Sequence, residues 1–234
     1  LVALESSGYS GSTNARRSQV LPDWSVAKAK RMGASAIKLL VYYHPESPTA
    51  GEIQALVSRV AEACDALDLT FFLETLSYSL DPEQSKPVGE ARRRIVLETA
   101  KQLTPLGADV LKTEFPVDAN LEKDEGIWAK ACQALSEASA IPWILLSAGV
   151  DYETYVRQVV VACRSGASGV AVGRAVWKEA TTMEANERTT FLRDVVRDRM
   201  VRITKLCDAL ARPWSDVLAP PAVSTGWYRE YPNR

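Results

Sequence analysis

The sequence predicts an α/β fold in which a parallel sheet is covered by helices. Three observations lead to this prediction: six short and almost wholly apolar runs, longer amphipathic stretches between them, and glycine-containing junctions before several of the runs. Apolar strands that alternate with helices are typical of a parallel sheet buried beneath a helical layer. The 234 residues and 47% hydrophobic content are sufficient for one domain with a full core.

Strands and helices alternate along the chain. The predicted strands comprise residues 1–4, 36–42, 70–75, 109–113, 143–147 and 169–172. The predicted helices comprise residues 23–32, 49–67, 88–103, 127–139, 152–165 and about 183–210. Pro22 and Asp23 indicate the start of the first helix and Gly33 its end. The second helix has the clearest 3.6-residue period, because its apolar residues recur at helical spacing from Ile53 to Cys64.

Three junctions resemble one another and favour a repeating β/α barrel. The segments RMGASAIKLL, PLGADVLKTE and RSGASGVAVG each place a Gly-Ala pair just before a strand. A barrel has eight strands in about 250 residues, and six strands are predicted here. Either the first two β/α units are absent from this chain, or the sheet is open and doubly wound. We expect the β/α domain to cover residues 1–211 and a Pro-, Trp- and Tyr-rich extension, residues 212–234, to lie over the barrel or a neighbouring subunit.

Composition excludes several classes of function. The chain has 28 Lys and Arg against 29 Asp and Glu, so its charge does not indicate a protein that binds nucleic acid or a membrane surface. No apolar run reaches the roughly 18 residues of a membrane-spanning helix. No signal peptide is visible, although the chain begins at Leu1 rather than Met. We therefore expect a cytoplasmic protein.

The cysteines and the histidine do not indicate a metal centre. None of the four cysteines forms a C-x-x-C pair, and we interpret them as small core residues in a reducing compartment. His44 is the single histidine, so a His-rich metal site is excluded. A Ser-His-Asp triad would have to use His44 as its histidine. His44 precedes Pro45 in a polar loop, so we expect it to be solvated. We expect neither a metal nor a cofactor.

Polar residues lie within or directly after five consecutive strands. Lys38, Glu74 and Lys112 interrupt three apolar runs, and a charge in a packed barrel interior is costly unless it is paired. A lysine amine attacks a carbonyl only when it is neutral, and desolvation or a nearby cation favours the neutral form. Lys112 is the candidate nucleophile, Lys38 the candidate cation, and Glu74 the candidate proton shuttle. Together they predict a Schiff-base site that breaks a carbon–carbon bond.

The loops after the last two strands predict an anion site. The segments SAGV and GRAVW place glycines just before helices, where backbone N–H groups can bind phosphate and Arg174 adds a fork of donors. In barrels these two loops often bind phosphate. The candidate phosphate-binding residues are Ser147, Ala148, Gly149, Gly173 and Arg174.

Other polar residues carry weaker interpretations. Glu5 ends the first strand and is a lesser candidate for the same site. Glu114 could share the strand face of Lys112 or be a rim carboxylate with structural hydrogen bonds, and both interpretations stay open. Arg92, Arg93 and Arg94 are interpreted as a solvated helix face.

The chain resembles the class I tagatose 1,6-bisphosphate aldolase family, which includes the sulfofructose phosphate aldolases. The matching segments, in order, are GASAIKLLVYY, FFLETLSY, GADVLKTEFPV, PWILLSAGV, SGASGVAVGRAVW and ARPW. The resemblance implies a (β/α)₈ barrel in which Lys112 forms a Schiff base with dihydroxyacetone phosphate and Glu74 is the acid and base. It also implies that Lys38 lines the site and that the Ser147 and Gly173 loops hold phosphate without a metal.

The chain differs from the family at its N-terminal end. Family members begin with two further β/α units, the first of which carries an Asp-Gln substrate-binding pair. This chain begins at what resembles the third strand, which would leave two sheet edges open. Either the protein is longer, or the chain is not a self-sufficient enzyme.

Three functional hypotheses follow. The first is cleavage of tagatose 1,6-bisphosphate to dihydroxyacetone phosphate and glyceraldehyde 3-phosphate, and the second is cleavage of sulfofructose 1-phosphate to dihydroxyacetone phosphate and sulfolactaldehyde. The third is a non-catalytic regulatory or assembly subunit on the same fold. The expected ligand is a phosphorylated sugar, the expected assembly a homo-oligomer, and no nucleic-acid or membrane partner is expected.

Overall fold

The computed structural model describes residues 1–219 and 224–229, and a parallel sheet forms its centre. The described strands are β1 (Val2–Ala3), β2 (Ser10–Ser12), β3 (Ala15–Arg17), β4 (Ala36–Tyr43), β5 (Thr70–Ser77), β6 (Val110–Thr113), β7 (Trp143–Leu146) and β8 (Gly169–Ala171). Strands β2 and β3 form a separate antiparallel hairpin. The other six form one sheet in the order β1-β4-β5-β6-β7-β8, and every neighbouring pair is parallel.

Helices connect successive strands of this sheet. They are α1 (Val26–Arg31), α2 (Ala50–Asp65), α3 (Gly89–Leu103), α4 (Glu125–Ala138), α5 (Tyr152–Arg164), α6 (Arg174–Trp177), α7 (Ala185–Thr190) and α8 (Arg197–Leu210). A wider helical turn, Phe191–Val196, joins α7 to α8. The prediction of six parallel strands that alternate with helices is confirmed.

The core lies between the sheet and the helices. Successive side chains of a strand point to opposite faces, and in β4 the residues Ile37, Leu39 and Val41 are completely buried. The intervening residues of β4, among them Lys38, are half-buried on the other face of the sheet. The sheet therefore has an apolar outer face under the helices and an inner face that carries the polar side chains.

The predicted first helix begins too early in the sequence. The helix begins at Val26, and the Ser25 side chain caps it by accepting a hydrogen bond of 3.2 Å from the backbone N–H of Lys28. Asp23 is instead a turn residue with φ of +58°. Ser and Asp are comparable N-cap residues, so sequence pattern alone does not decide which of them begins the helix.

The β2–β3 hairpin is absent from the sequence prediction. Its residues are polar and show no apolar alternation, so hydrophobic periodicity does not mark it. After the hairpin the chain runs antiparallel to the segment that follows β1, with a bond of 2.8 Å from the Ser6 N–H to the Gln19 carbonyl. Ser18 Oγ accepts a bond of 3.0 Å from the Tyr42 N–H. These bonds fix the hairpin above the carboxyl ends of β1 and β4.

The predicted extension, residues 212–234, lies partly outside the described residues, which omit 220–223 and 230–234. The Arg212 N–H bonds to the Ala167 carbonyl at 2.9 Å, and Trp214 lines a cavity with Thr70 and Val110 at the amino ends of β5 and β6. The division into a barrel domain and an extension stays a prediction. None of the described helices combines the length and the apolarity that a bilayer span needs.

The prediction that His44 is solvated is wrong. The side chain is 4% exposed, and its ring packs on Tyr78 with ring centroids 6.0 Å apart. Nδ1 accepts a hydrogen bond of 3.1 Å from the Glu46 N–H, which requires that nitrogen to be unprotonated. Burial lowers the pKa of His44 below its ordinary value near 6.5; the Glu46 carboxylate opposes this shift and the charge of Arg94 supports it.

We predict that stability falls as the pH falls through the range in which an unfolded histidine takes up its proton. The unfolded chain binds this proton near pH 6.5 and the folded chain only at lower pH. The contribution of His44 is therefore complete above that value and is lost progressively below it. Urea unfolding at pH 5.5 and 7.5 measures the difference. The His44→Asn variant keeps an acceptor near Glu46 and should lose most of this pH dependence. If the free energy of unfolding changed equally between the two pH values in both proteins, His44 would not be the source of the pH dependence.

Candidate active site

The inner face of the sheet brings Lys38, Glu74 and Lys112 together. Lys112 Nζ lies 2.9 Å from Glu74 Oε2, and Lys38 Nζ lies 3.5 Å from the same oxygen. Strand register explains the arrangement, because Leu40, Glu74 and Lys112 are direct partners on β4, β5 and β6. Lys38, two residues before Leu40, shares its face and reaches Glu74 diagonally. The predicted cluster of these three side chains is present.

Glu5 completes the cluster. Its Oε1 is in direct contact with Lys38 Nζ, and its Oε2 accepts a bond of 3.1 Å from the Leu40 N–H. Glu5 lies two residues beyond Ala3, which is the register partner of Lys38 on the neighbouring strand. Two ammonium groups thus meet two carboxylates, and the cluster as a whole is neutral.

The four side chains are largely removed from solvent but remain accessible from one side. The exposed fraction is 19% for the Lys112 side chain, 16% for Lys38 and 11% for both Glu5 and Glu74. Burial on this scale requires each charge to have a partner. Lys112 is the more exposed lysine and contacts Glu74, whereas Lys38 contacts both carboxylates. Both amines therefore keep a fraction of their surface open to the inner face.

The loops after β7 and β8 approach each other at the carboxyl edge of the sheet. Arg174 lies over Gly149, since a Cβ placed on Gly149 would be 3.4 Å from Arg174 Cζ. A Cβ placed on Gly173 would be 3.9 Å from Ser147 Oγ. The two loops thus approach each other closely, and Ser147, Gly149, Gly173 and Arg174 form one group, as the sequence predicts.

The first loop contains two consecutive residues in the left-handed region. Ala148 and Gly149 have φ of +49° and +75°, a conformation that is unusual for alanine. The turn that they form is closed by a bond of 3.2 Å from the Val150 N–H to the Ser147 carbonyl. Lys178 Nζ lies 3.4 Å from the Gly149 carbonyl and adds a cation that the sequence analysis missed. Its spacing of four residues from Arg174 is the signal that could have indicated it.

The family model described as DeoC/LacD family aldolase matches residues 1–179. The chain belongs to this aldolase family. It is 32% identical to tagatose 1,6-diphosphate aldolase 2 of Streptococcus mutans, over 92% of this chain and 72% of that protein. It is also 32% identical to the tagatose 1,6-diphosphate aldolase of Lactococcus lactis, over 92% of this chain and 73% of that protein.

A solved structure supports the fold. An archaeal fructose 1,6-bisphosphate aldolase superposes with a TM-score of 0.61 at 24% identity, over 88% of this chain and 70% of that one. The barrel-type α/β fold and the family resemblance found in the sequence of this aldolase are both confirmed. The described residues of this chain form a sheet of six parallel strands, as in a β/α barrel.

A sizeable apolar cavity of the aldolase lies away from this cluster. A space of about 740 Å³ lies between the segment after β3 and helix α2, lined by Leu4, Val20, Trp24 and Leu56 among others. It contains none of the polar side chains of the inner face. A catalytic site needs reactive groups in mutual contact, so the lysine–glutamate cluster is the better candidate. Among the described residues no group of three or more His, Cys, Asp and Glu is arranged to hold a metal ion.

Glu114 does not belong to the lysine cluster. Its side chain is 2% exposed, and Oε2 accepts bonds of 2.7 Å from the Ser77 N–H and 2.6 Å from Ser77 Oγ. Of the two interpretations drawn from the sequence, these contacts support the carboxylate with structural hydrogen bonds. Glu114 ties the end of β5 to the loop after β6.

The prediction of a solvated arginine face is wrong for Arg92. Nε and Nη2 of Arg92 donate to the Phe115 carbonyl at 3.1 and 3.0 Å, and Nη2 lies 3.7 Å from Glu114 Oε1. The Arg92 side chain is 11% exposed, whereas that of Arg93 is 39% exposed. Helical spacing turns one of three consecutive arginines toward the core, where a buried carboxylate and a carbonyl bind it.

We predict that Arg92→Met destabilises the fold by about 2–3 kcal/mol, because it leaves the buried Glu114 carboxylate without its counter-ion and the Phe115 carbonyl without its donor. Denaturant unfolding measures the loss. Arg93→Met is the matched control, since it removes an exposed ion pair with Glu90 and should cost at most about 0.5 kcal/mol. Similar losses in the two variants would show that Arg92 has no special structural role.

Proposed function

We propose that this protein is a class I aldolase in which Lys112 forms a Schiff base with the ketone carbon of a phosphorylated ketose. The observation that carries the proposal is the 2.9 Å contact between Lys112 Nζ and Glu74 Oε2 on the inner face of the sheet. An amine beside a group that can take and return its proton is the arrangement that carbinolamine formation and dehydration require. Membership of an aldolase family supports the same chemistry.

The first half of the reaction uses the Lys112 amine. The neutral amine adds to the C2 carbonyl, the resulting carbinolamine loses its hydroxyl as water, and a protonated imine forms. Glu74 is the group that takes the amine proton and returns it to the departing hydroxyl. Glu5 contacts Lys38 and balances its charge, which leaves Glu74 free for proton exchange with Lys112.

The second half breaks the bond between C3 and C4. A base removes the proton of the C4 hydroxyl, the C4 oxygen forms a carbonyl, and the electron pair of the C3–C4 bond moves into the protonated imine. The products are an aldehyde and an enamine on Lys112. Protonation of the enamine at C3 and hydrolysis of the imine then release dihydroxyacetone phosphate and restore the amine. Glu74, within hydrogen-bonding distance of the nitrogen, is the acid and base that we assign to these steps.

The paired loops after β7 and β8 are the proposed site of the ketose C1 phosphate. Ser147, Ala148 and Gly149 provide a hydroxyl and backbone N–H groups, while Gly173 and Arg174 provide close approach and a fork of donors. Parallel strands end at one edge of the sheet, so these loops lie at the same rim as the reactive lysine. The names of the relatives support tagatose 1,6-bisphosphate as the substrate of this protein. Sulfofructose 1-phosphate is the alternative substrate.

We also propose a homo-oligomer in a reducing, cytoplasmic environment. Leu192, Val195, Met200 and Val201 are each about two-fifths exposed along the α7–α8 region and offer an apolar surface to a second copy. The four cysteines are present as thiols rather than disulfides, which suits a reducing compartment.

We predict that borohydride traps dihydroxyacetone phosphate covalently on Lys112. Borohydride reduces a protonated imine to a stable amine, and mass mapping of the digested protein locates the adduct. Lys112→Ala should give no adduct and no turnover. Lys112→Arg should behave in the same way, because a guanidinium is not deprotonated near neutral pH. Lys101→Ala, which removes an exposed helical lysine, is the control.

The trapping experiment also decides between enzyme and non-catalytic subunit. An adduct on Lys112 that depends on added dihydroxyacetone phosphate supports the proposal. A purified, folded protein that gives no adduct on the Lys112 peptide would overturn it and favour the non-catalytic alternative.

We predict that Glu74→Gln lowers turnover by roughly 10²- to 10⁴-fold, the usual loss when a general acid–base is removed. Glutamine keeps the size of the side chain and its hydrogen bonding but cannot exchange the proton. Steady-state cleavage of tagatose 1,6-bisphosphate gives the rate, and Glu90→Gln on the exposed start of α3 is the control. Near-normal turnover in Glu74→Gln would remove Glu74 from the mechanism.

The identity of the aldehyde half is tested by comparing kcat/KM for two substrates. We expect a higher kcat/KM for tagatose 1,6-bisphosphate than for 6-deoxy-6-sulfofructose 1-phosphate, since the named relatives are tagatose 1,6-diphosphate aldolases. The reverse order would assign the protein to the sulfosugar branch.

A further inference from the structure

Helices α5 and α8 pack against each other on the outside of the sheet. Near the starts of the two helices, Arg199 Cζ lies 4.6 Å from the ring centroid of Tyr152. Just beyond their ends, the Arg212 N–H donates to the Ala167 carbonyl at 2.9 Å. Because one contact joins the two starts and the other joins the two ends, the helices run in the same direction. Their last turns therefore lie side by side.

Cys163 and Cys207 occupy these last turns. Cys163 stands four residues before Ala167, and Cys207 stands five residues before Arg212. Cys163 is buried in α5. Cys207 follows the buried residue Ile203 by one helical turn, so it lies on the same face of α8 and turns toward the core as Ile203 does.

The two thiols contact each other across the boundary between the helices. The S–H of Cys163 donates to the sulfur of Cys207, and the side chain of Tyr155 lies close to both. Cys207 is partly exposed, whereas Cys163 is buried behind it. A small reagent that arrives from solvent therefore meets Cys207 first and finds Cys163 next to it.

The contact makes the two thiols chemically unequal. It raises the pKa of Cys163, and burial adds to this rise. It lowers the pKa of Cys207, although burial and the Asp208 carboxylate oppose the shift. The thiolate is the form of cysteine that reacts with oxidants. Cys207 thus resembles a reactive cysteine and Cys163 the resolving cysteine beside it.

The other two cysteines differ from this pair. Cys64 and Cys132 are both buried, and burial raises the pKa of each to about 12. Neither thiol ionises appreciably at neutral pH, so both serve as internal controls for oxidation. Cys132 is close enough to Cys163 for their charges to interact, which makes it the competing partner that an experiment has to exclude.

We propose that Cys163 and Cys207 form an oxidation site, at which a peroxide converts the two thiols to a disulfide that joins α8 to α5. The proposal concerns the helical layer and does not depend on the aldolase chemistry assigned to Lys112. The interpretation of all four cysteines as small core residues is thereby limited to Cys64 and Cys132.

The reaction takes place in two steps. The Cys207 thiolate attacks one peroxide oxygen, an S–O bond forms, the O–O bond breaks, and the departing hydroxide takes the proton that Cys207 released. The Cys163 sulfur then attacks the sulfur of the resulting sulfenic acid, an S–S bond forms, the S–O bond breaks, and the second hydroxide leaves as water with the Cys163 proton. Two thiols and one hydrogen peroxide give one disulfide and two water molecules, and the two electrons lost by sulfur are gained by the peroxide. A dithiol such as dithiothreitol reverses the change.

The disulfide closes a long segment of the chain. Cys163 and Cys207 are 44 positions apart, and the segment between them contains β8, α6 and α7. Arg199 of α8 donates from Nη1 to the Val176 carbonyl of α6 at 2.8 Å, so α8 also holds α6 in place. A cross-link across a loop of this length restricts the unfolded chain. We therefore expect oxidation to raise the Tm by roughly 5–10 °C.

The test uses the full chain in its folded, fully reduced state. The protein is treated with a few equivalents of hydrogen peroxide, the remaining thiols are alkylated, and the protein is digested with trypsin without reduction. A lysine or arginine lies between each cysteine and the next, so each cysteine has its own peptide. Mass spectrometry should detect the Cys163 and Cys207 peptides joined together, with Cys64 and Cys132 alkylated.

Three variants assign the steps. Cys207→Ser should give neither the disulfide nor the rise in Tm. Cys163→Ser should also lack the disulfide but should retain a sulfenic acid on Cys207, which dimedone traps. Cys132→Ala is the matched control and should form the Cys163–Cys207 link at wild-type yield. Dithiothreitol should return the Tm of the oxidised wild-type protein to its starting value.

Several outcomes would overturn the proposal. Alkylation of Cys163 and Cys207 after peroxide treatment of the folded protein would show that the pair only fills the space between the helices. A link from Cys163 to Cys132, or a link between two chains on a non-reducing gel, would place the oxidation elsewhere. An unchanged Tm in the cross-linked protein would show that the disulfide does not join α8 to the fold.

Discussion

The contact network of Lys38, Glu5, Glu74 and Lys112 is the constraint on which the arrangement of the inner face depends. Four charges with 11–19% exposed side chains cannot be separated without leaving an unpaired charge in a poorly solvated space. They come from four neighbouring strands or strand ends, so the pairing is satisfied only at one register. A slip of one residue in β5 would turn Glu74 to the apolar outer face and place Leu73 or Thr75 among the lysines. The charge network and the sheet register therefore stabilise each other.

Strand direction connects this network to the rest of the rim. In a parallel sheet all carboxyl ends lie at the same edge, so the loops after β7 and β8 approach the level of Lys112 without any long connection. The left-handed conformations at Ala148 and Gly149 and the close approach of Arg174 to Gly149 belong to the same edge. The amino ends of the strands border a different cavity, lined by Trp214 and Leu218 and by the carboxylates Asp65, Asp68 and Asp109. The lysines of the inner face do not line it, so the candidate chemistry belongs to the carboxyl end of the sheet.

The sequence predicted the features that depend on local pattern. Lys38, Glu74 and Lys112 were found because each interrupts an apolar run, and the glycines of the rim because each stands between a strand and a helix. Arg16, Arg92 and His44 could not be found in this way, because the burial of a polar side chain depends on contacts with distant segments. Arg92 pairs with a carboxylate 22 positions later in the chain, and Arg16 bonds to a carbonyl 69 positions later. Polar composition alone assigns such residues to the surface.

Electrostatics divides the inner face into two levels. The lower level, with Lys112, is neutral because its two lysines and two carboxylates compensate one another. The upper level is positive, because Glu114 is bound by Ser77 and Arg92 while Arg16, Lys86 and Arg174 line a small cavity without acidic partners there. The two levels therefore differ in charge although they belong to the same face of the sheet.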